Sequence, residues 1–383
     1  METLMDLPME VVVEIMSLLP AESLVRLKCV CRLWYSIIND RVFVAKHLHN
    51  ANKISSAKSL FSIGYSDELH APVKSFITIR DDDRIGYHID SVFEDSMSVL
   101  LQQHADEYHI GSQCNGIFCL YGEENYNVML CNPVTREFKL LPNSCFRVKM
   151  HVLMLGFGFD PSVDCYKVVR AVLLSSQVDY LLRAEIYTLG SSTWREIKMN
   201  LLLSELELIL LGIAYGRNAH KQRYCNGAFY WLLSPLSEKE TIVCFDTSDE
   251  QFYRIPLPDN FEGERKGMST SLDVWNESVA LLHYPNSSNI TRPIEIWLMV
   301  DSSCGSEASC CWTKYVSIGP LESIWRPVAF WRINELLMSA EEGHVVSCNL
   351  HTQDLRNLPI SPEALKYNAF VYVKSLVSVH GRN

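Results

Sequence analysis

The first fifty residues are patterned for helices. In DLPMEVVVEIMSLLP (6–20), Pro8 stands where the first turn of a helix tolerates proline, behind Asp6 or Leu7 as cap. Wound as a helix, the stretch puts Val11, Ile15, Leu18 and Leu19 on one face, Val12 and Met16 on a second, and Val13 in a third direction. Glu10, Glu14 and Ser17 are left for water. A helix apolar over so much of its circumference must be covered on more than one side. AESLVRLKCVC (21–31) continues as a second short helix through Leu24, Leu27 and Val30. CRLWYSIINDRVFVAKHLHN (31–50) predicts a third, carrying Leu33, Trp34, Ile37, Ile38, Phe43, Val44 and Leu48. A unit this small buries too little of its own surface to enclose such side chains. It must dock on the rest of the chain or on another protein.

From residue 51 the pattern changes to short runs of Val, Ile, Tyr, Phe and Trp, broken by turn residues about every 8–12 positions. A strand–turn–strand unit recurs at 128–142, 184–199, 241–258, 294–319 and 345–359, with turns starting near Asn132, Thr188, Asp246, Val300 and Asn349. CNGIFCL (114–120) and CNGAFYW (225–231) share a second element, whose glycine permits a turn that Ala could not. WRPVAFWRINELLM (325–338) takes the corresponding place before the last unit. A repeat of roughly 50 residues and about four short strands predicts the blades of a kelch-like β-propeller, though without the paired glycines of kelch repeats. The expected fold is therefore α+β but mainly β: a three-helix domain over 1–50, then a propeller of about six blades over 51–383. A degenerate first blade would lie near 58–110, with NAFVYVKSLVSV (368–379) closing the ring beside it. A two-sheet β-sandwich is the alternative, and it leaves the period unexplained. LLLSELELILLGIAY (201–215) reads equally as a helix or a strand, but Glu205 and Glu207 break it as a membrane span.

Composition narrows the function. The opening helix has no basic flank, carries Glu10 and Glu14, and is followed by no small-residue cleavage site, so it does not read as a signal peptide. The 13 cysteines are then expected to be reduced, buried thiols of a cytoplasmic or nuclear protein. The sequons at Asn276, Asn286 and Asn289 would go unused. The net charge is −11, of which residues 1–50, with five Lys/Arg against six Asp/Glu, contribute −1. This balance argues against nucleic acid, which needs clustered Lys and Arg; only RNAHKQR (217–223) is locally basic. An acidic body suits a basic protein target.

The sequence carries few signs of catalytic or metal chemistry. The close cysteine pairs, Cys29–Cys31 and Cys310–Cys311, do not match zinc knuckles. GFGFDP (156–161) lacks the third glycine of a dinucleotide fingerprint and precedes the strand CYKVVR, so it reads as a hairpin. Neither G-x-S-x-G nor H-E-x-x-H occurs. His47 with His49, and His104 with His109, read as solvated as easily as ligating, and Asp81-Asp82-Asp83 as a solvated turn. No cofactor, metal site or catalytic residue is expected, and the chain does not read as an enzyme.

Leu7-Pro8, Glu14-Ile15, Leu19-Pro20, Ser23-Leu24, Lys28-Cys29-Val30-Cys31, Trp34 and Phe43 closely resemble the F-box motif over residues 4–48. Met16 and Leu18 replace the usual leucine and polar residue. The resemblance implies that the second apolar face is covered by the SKP-type adaptor of a cullin-based (SCF) ubiquitin ligase. It also implies Leu7, Pro8, Ile15, Leu19, Pro20, Leu24, Val30 and Trp34 as the adaptor interface, with Leu27, Leu33 and Ile37 in the core. CNGIFCLYG, LCNPVTREFKLLP, LGFGFDPSVDCYKVVR and VYVKSL resemble the type 1 F-box-associated domain of plants. Within that group, FVAKHL, LCNPVTREFKLLP and the stretch from IWLM through SCCWTKYVSIGPL resemble the pollen S-locus F-box proteins. These recognise secreted pistil ribonucleases in self-incompatibility and direct their ubiquitination. What the resemblance implies is a non-catalytic substrate-recognition subunit, with substrate loops among 175–183, 216–223, 285–293 and 301–309. The competing expectations are a free-standing propeller, binding a ligand or hydrolysing a small substrate under a helical cap, and an F-box scaffold outside the ligase.

Overall fold

A computed structural model describes residues 7–53, 58–66, 71–82, 86–90, 108–122, 127–146, 150–175, 180–201, 222–233, 240–258, 261, 268–286, 292–300, 311–321, 325–332, 334–340, 345–358 and 368–381. The N-terminal part forms four helices: α1 (Met9–Ser17), α2 (Ala21–Leu27), α3 (Arg32–Asn39) and α4 (Arg41–Lys53). The expected third helix is thus two. Asp40 breaks it by taking an extended backbone (φ −66°, ψ 133°), while its Oδ1 accepts the amides of Val42 (3.0 Å) and Phe43 (3.1 Å). An aspartate that satisfies two unpaired amides of the next helix favours a new start over continuation.

The remainder is a ring of four-stranded antiparallel sheets. Three strands come first: β1 (Lys58–Ser66), β2 (Ala71–Asp82) and β3 (Gly86–Asp90). Blade A holds β4 (Tyr108–Cys114), β5 (Ile117–Gly122), β6 (Val128–Asn132) and β7 (Glu137–Leu140). Blade B holds β8 (Met150–Asp160), β9 (Cys165–Ser175), β10 (Tyr180–Thr188) and β11 (Arg195–Ile197). Blade C is built from β12 (Arg223–Cys225), β13 (Ala228–Leu233), β14 (Thr241–Asp246) and β15 (Gln251–Ile255). Blade D comprises β16 (Met268–Trp275), β17 (Ser278–Pro285), β18 (Ile294–Met299) and β19 (Trp312–Ile318). Blade E comprises β20 (Trp325–Arg332), β21 (Glu335–Ala340), β22 (Val345–Asn349) and β23 (Leu355–Leu358). The last strand, β24 (Asn368–Val373), returns to pair with β1 in a composite sheet of order β24-β1-β2-β3. About six blades were expected, with a degenerate first blade near 58–110 and 368–379 beside it; the structure corrects the count to five blades of consecutive strands, while β24 does lie beside β1 in the sheet that closes the ring. Separate sheets around a ring also set aside the two-sheet sandwich.

Local chemistry explains the repeat. The third strands of the five blades end at Asn132, Thr188, Asp246, Met299 and Asn349, within one residue of the turn starts expected from sequence. Asn132, Asp246 and Asn349 each use Oδ1 to accept the amide two residues on, at 2.8–3.0 Å, which closes the turn locally. Left-handed Arg136, Glu250 and Gln353 then lead into the fourth strands. The Cys-Asn-Gly elements are two-residue hairpin turns with both central φ positive: Asn115 (50°) and Gly116 (80°), Asn226 (47°) and Gly227 (82°).

The core lies between blades. Phe229, Trp231 and Phe245 of blade C meet Val169, Ala171 and Ile186 of blade B, and comparable clusters join A to B, C to D and D to E. This packing accounts for GFGFDP as well. A Cβ on Gly156 would stand 2.7 Å from the Phe229 and Trp231 rings, and one on Gly158 would stand 2.3 Å from Tyr224. The glycines admit the neighbouring blade's aromatics rather than a phosphate. Charge is buried in pairs: Arg170 donates to Glu185 at 2.6 Å and stacks over Trp194, while Lys167 meets Asp160 of its own blade (2.7 Å) and Glu250 across the B–C junction (3.1 Å). Cys114, Cys119 and Cys131 are buried thiols outside any disulfide, pushed up to about 12 by desolvation. Cys29, Cys145 and Cys311 correct the expectation that all thiols are buried, since they are exposed.

Candidate partner interface

The helices are held together by one apolar cluster and a few polar ties. Val12, Met16, Ala21, Leu24, Ile38 and Phe43 are buried together with Tyr108, Ile110, Phe118, Met129 and Val134 of blade A and with Phe370, Tyr372 and Leu376 near the C-terminus. The hook therefore sits on the propeller. Its α1–α4 contact is fixed by His47, whose Nε2 lies 2.9 Å from the Leu19 carbonyl, and by Asn50, which donates to Ser17 Oγ at 2.9 Å. Lys46 pairs with Glu14 on the outside of the same contact. Desolvation lowers the pKa of His47, only partly opposed by the Leu19 carbonyl and Glu22, so the buried ring is held neutral. Of the two histidines that the sequence left open, His47 is thus buried and His49 exposed.

What the cluster leaves uncovered is the other half of the hook. Of the sixteen exposed large apolar side chains among the described residues, nine lie between Leu7 and Val42. Val11, Ile15 and Leu18 line one face of α1 at spacings of four and three, with Leu7 and Met9 at its start. The opposite face, Val12 and Met16, is the buried one. Val30 (62% exposed), Leu33, Tyr35 and Val42, on or between the later helices, are exposed as well. The two-sided helix of the sequence thus has one side in the cluster that the hook shares with the propeller and one facing solvent.

The residues named from the F-box resemblance divide accordingly. Leu7, Pro8, Ile15, Pro20 and Val30 are exposed. Leu19 and Trp34 are half-buried and pack against the cluster, so Leu19 belongs with Val12 and Met16 rather than with Val11 and Ile15. Leu24 is 0% exposed and offers a partner no surface, a correction that follows from its place between helices and blade A. Leu33, expected in the core, is instead exposed. Met9, Val11, Leu18, Tyr35 and Val42 were not named as interface candidates; the signal that marks Val11 and Leu18 is their common face with Ile15.

The strand order also fixes which end of the ring the hook occupies. In a four-stranded meander, the turns between strands one and two and between three and four lie at one end. The hook meets that end: Val134 lies in the turn between β6 and β7, Glu137 opens β7, and Glu22 of α2 pairs with Lys374 just after β24. Burial lowers the pKa of Lys28, and nearby Glu137 partly opposes the shift. The strand ends flanking 176–179, 202–221 and 287–291 point to the opposite end, whereas those flanking 301–310 point to the hook's end. These loops, with 201–215 beyond Leu201, His104 and Asp83, lie outside the described residues.

At the ring's axis, a cavity of about 230 Å³ is lined by Gln113, Asn115, Arg223, Asp273, Phe330 and Phe370 among others, with Asn52 from α4. Its polar groups largely satisfy one another: Arg223 donates to Asp273 at 2.9 Å, and Asp273 also accepts the Phe330 amide at 3.1 Å. Among the described residues no group of three or more His, Cys, Asp or Glu could hold a metal ion, and no helix is long and apolar enough to cross a membrane.

Family models agree with this division of the chain. The F-box associated beta propeller domain matches residues 75–379, most of the molecule. The chain belongs to that family. An F-box-like model matches residues 4–50, the helical hook. An F-box/kelch-repeat protein of Arabidopsis thaliana is 26% identical over 385 residues, covering 97% of this chain and 96% of that protein. An F-box protein of the same plant is 26% identical over 340 residues, covering 83% of this chain and 74% of its own length. This F-box protein thus resembles plant relatives along nearly its whole length.

Proposed function

We propose that this F-box protein is the substrate-recognition subunit of an SKP–cullin–F-box ubiquitin ligase. One observation carries the reading: a hook whose inner apolar face is already seated on the propeller still exposes a second apolar face, Val11, Ile15 and Leu18 with Leu7 and Val30. Water is a poor partner for so many exposed apolar side chains on one small unit, and a SKP-type adaptor is the partner that the F-box implies. Through the adaptor the chain would be carried on a cullin scaffold. The propeller then holds a protein substrate on the loops at the end away from the hook, and ubiquitin chemistry belongs to the partners. The chain's contribution is effective concentration, which brings a substrate lysine close to the loaded conjugating enzyme.

The acidic propeller favours a basic substrate, and a basic secreted ribonuclease, as in self-incompatibility, is the specific form of that reading. The site of action in this account is the cytoplasm or nucleus, where the ligase partners are met. We further treat the hook and the propeller as two folding parts, near 1–50 and 51–383.

Co-expression with a plant SKP-type adaptor tests the proposal, comparing the full chain with Ile15→Asp. Capture by the wild type and its loss in the folded variant is the expected result. Equal capture of both would remove this face from the interface, and no capture of either would remove the adaptor reading.

A further inference from the structure

After β24 the chain does not simply end. Residues 374–381 run over the hook-side end of blade A and reach the junction between blades A and B. Asn132, fully buried, donates through Nδ2 to the carbonyls of Ser375 (3.1 Å) and Val377 (2.7 Å). Ser375 in turn donates through Oγ to the Asn115 carbonyl at 2.6 Å, and Val379 donates its amide to Glu137 Oε2 at 3.0 Å. The crossing is close enough to dictate sequence beneath it. A Cβ on Gly116 would stand 2.4 Å from Ser375 Oγ and 2.7 Å from the Val373 carbonyl. Val379 is buried in the cluster between blades A and B.

The same segment holds the hook. Lys374 pairs with Glu22 on α2, and Leu376 is buried in the cluster that contains Val12, Met16 and Leu24. Glu137, which accepts the Val379 amide, also faces Lys28 just after α2. We propose that residues 374–381 act as a strap that fixes the orientation of the helical hook on the propeller, with Lys374 and Leu376 as its positioning residues. Ring closure and hook orientation then form one device, because the strand that closes the ring runs directly into the strap. Resting on the adaptor reading, the strap would hold the substrate end of the ring at a set distance and angle from the ligase. That spacing decides which lysines a tethered reaction can reach.

Hydrogen exchange on the full chain tests the strap without requiring a known substrate. Lys374→Glu should speed exchange of the α2 amides about three-fold, the scale of one partly exposed ion pair. Glu22→Lys combined with Lys374→Glu should restore it, and the amides of β5 should not change in either variant. Removing 374–383 should release the hook altogether, with α1 and α2 exchanging many-fold faster while adaptor capture persists. Unchanged α2 exchange in Lys374→Glu, or a double reversal as fast as the single, overturns the strap. Should the truncated chain fail to fold, the two charge-reversal variants decide. Absence of adaptor capture by the wild type would sink the ligase reading and leave the exchange result to stand on its own.

Discussion

The junction between blades B and C and the outer face of α1 are both rich in large apolar side chains, yet they end differently. At the junction, Phe229, Trp231 and Phe245 are shut between two sheets, with 2% exposure or less. On α1, Val11, Ile15 and Leu18 keep 41–58% of their surface in water. A blade has a neighbour on each side because the ring closes on itself. The hook has the propeller on one side only. Apolar surface that the fold covers reports on stability, and apolar surface that it leaves reports on a partner.

The comparison can be broken by mutation. The largest effect is expected inside the junction: Phe229→Ala should cost about 3–5 kcal/mol of stability, read from urea unfolding, through the cavity it leaves. Gly158→Ala acts at the same junction in the opposite sense, forcing a methyl against Tyr224 and Phe229, and should cost about 1–3 kcal/mol. On the hook the pattern should invert. Ile15→Ala should change stability by no more than about 0.5 kcal/mol. It should weaken adaptor binding by about 2 kcal/mol, roughly thirty-fold by calorimetry. Leu24→Ala sharpens the contrast within the hook, since its cost should appear in unfolding, at about 2–5 kcal/mol.

The smallest effect concerns pH. His47 is buried with its pKa below the ordinary 6.5, so the unfolded chain takes up a proton more readily than the folded one. The associated stability is present in full above 6.5 and falls as pH drops through that value toward the folded pKa. Stability measured at about pH 7.5 and about pH 5.5 should differ less in His47→Gln than in the wild type. An equal difference in both would assign the pH dependence to other groups.

Much of this was legible in the sequence because the signals were local. Asn132, Asp246 and Asn349 announce their turns through their own side chains, and Asn115-Gly116 and Asn226-Gly227 announce hairpins that few other pairs can make. The 3.6-residue rhythm of α1 likewise separated Val11 and Ile15 from Val12 and Met16. What local pattern could not show was which face the propeller would take. Leu24 and Val30 look alike on paper, but one is enclosed by blade A and the other is open. Nor could spacing show that Asp40 would restart the helix, because an Asp at mid-helix and an Asp cap differ only in backbone angles. The strap was also hidden: SLVSV reads as one more strand, and its role emerges only from Asn132 and Asn115, about 240–260 positions away in the chain.

The most direct test of the account is the affinity of the full chain for a SKP-type adaptor, measured for the wild type, Ile15→Ala and Phe229→Ala under conditions where all three are folded. Tight binding by the wild type and by Phe229→Ala is expected, with a loss of roughly thirty-fold confined to Ile15→Ala. Equal affinities for all three chains would mean that the exposed face of α1 is not what the adaptor grips.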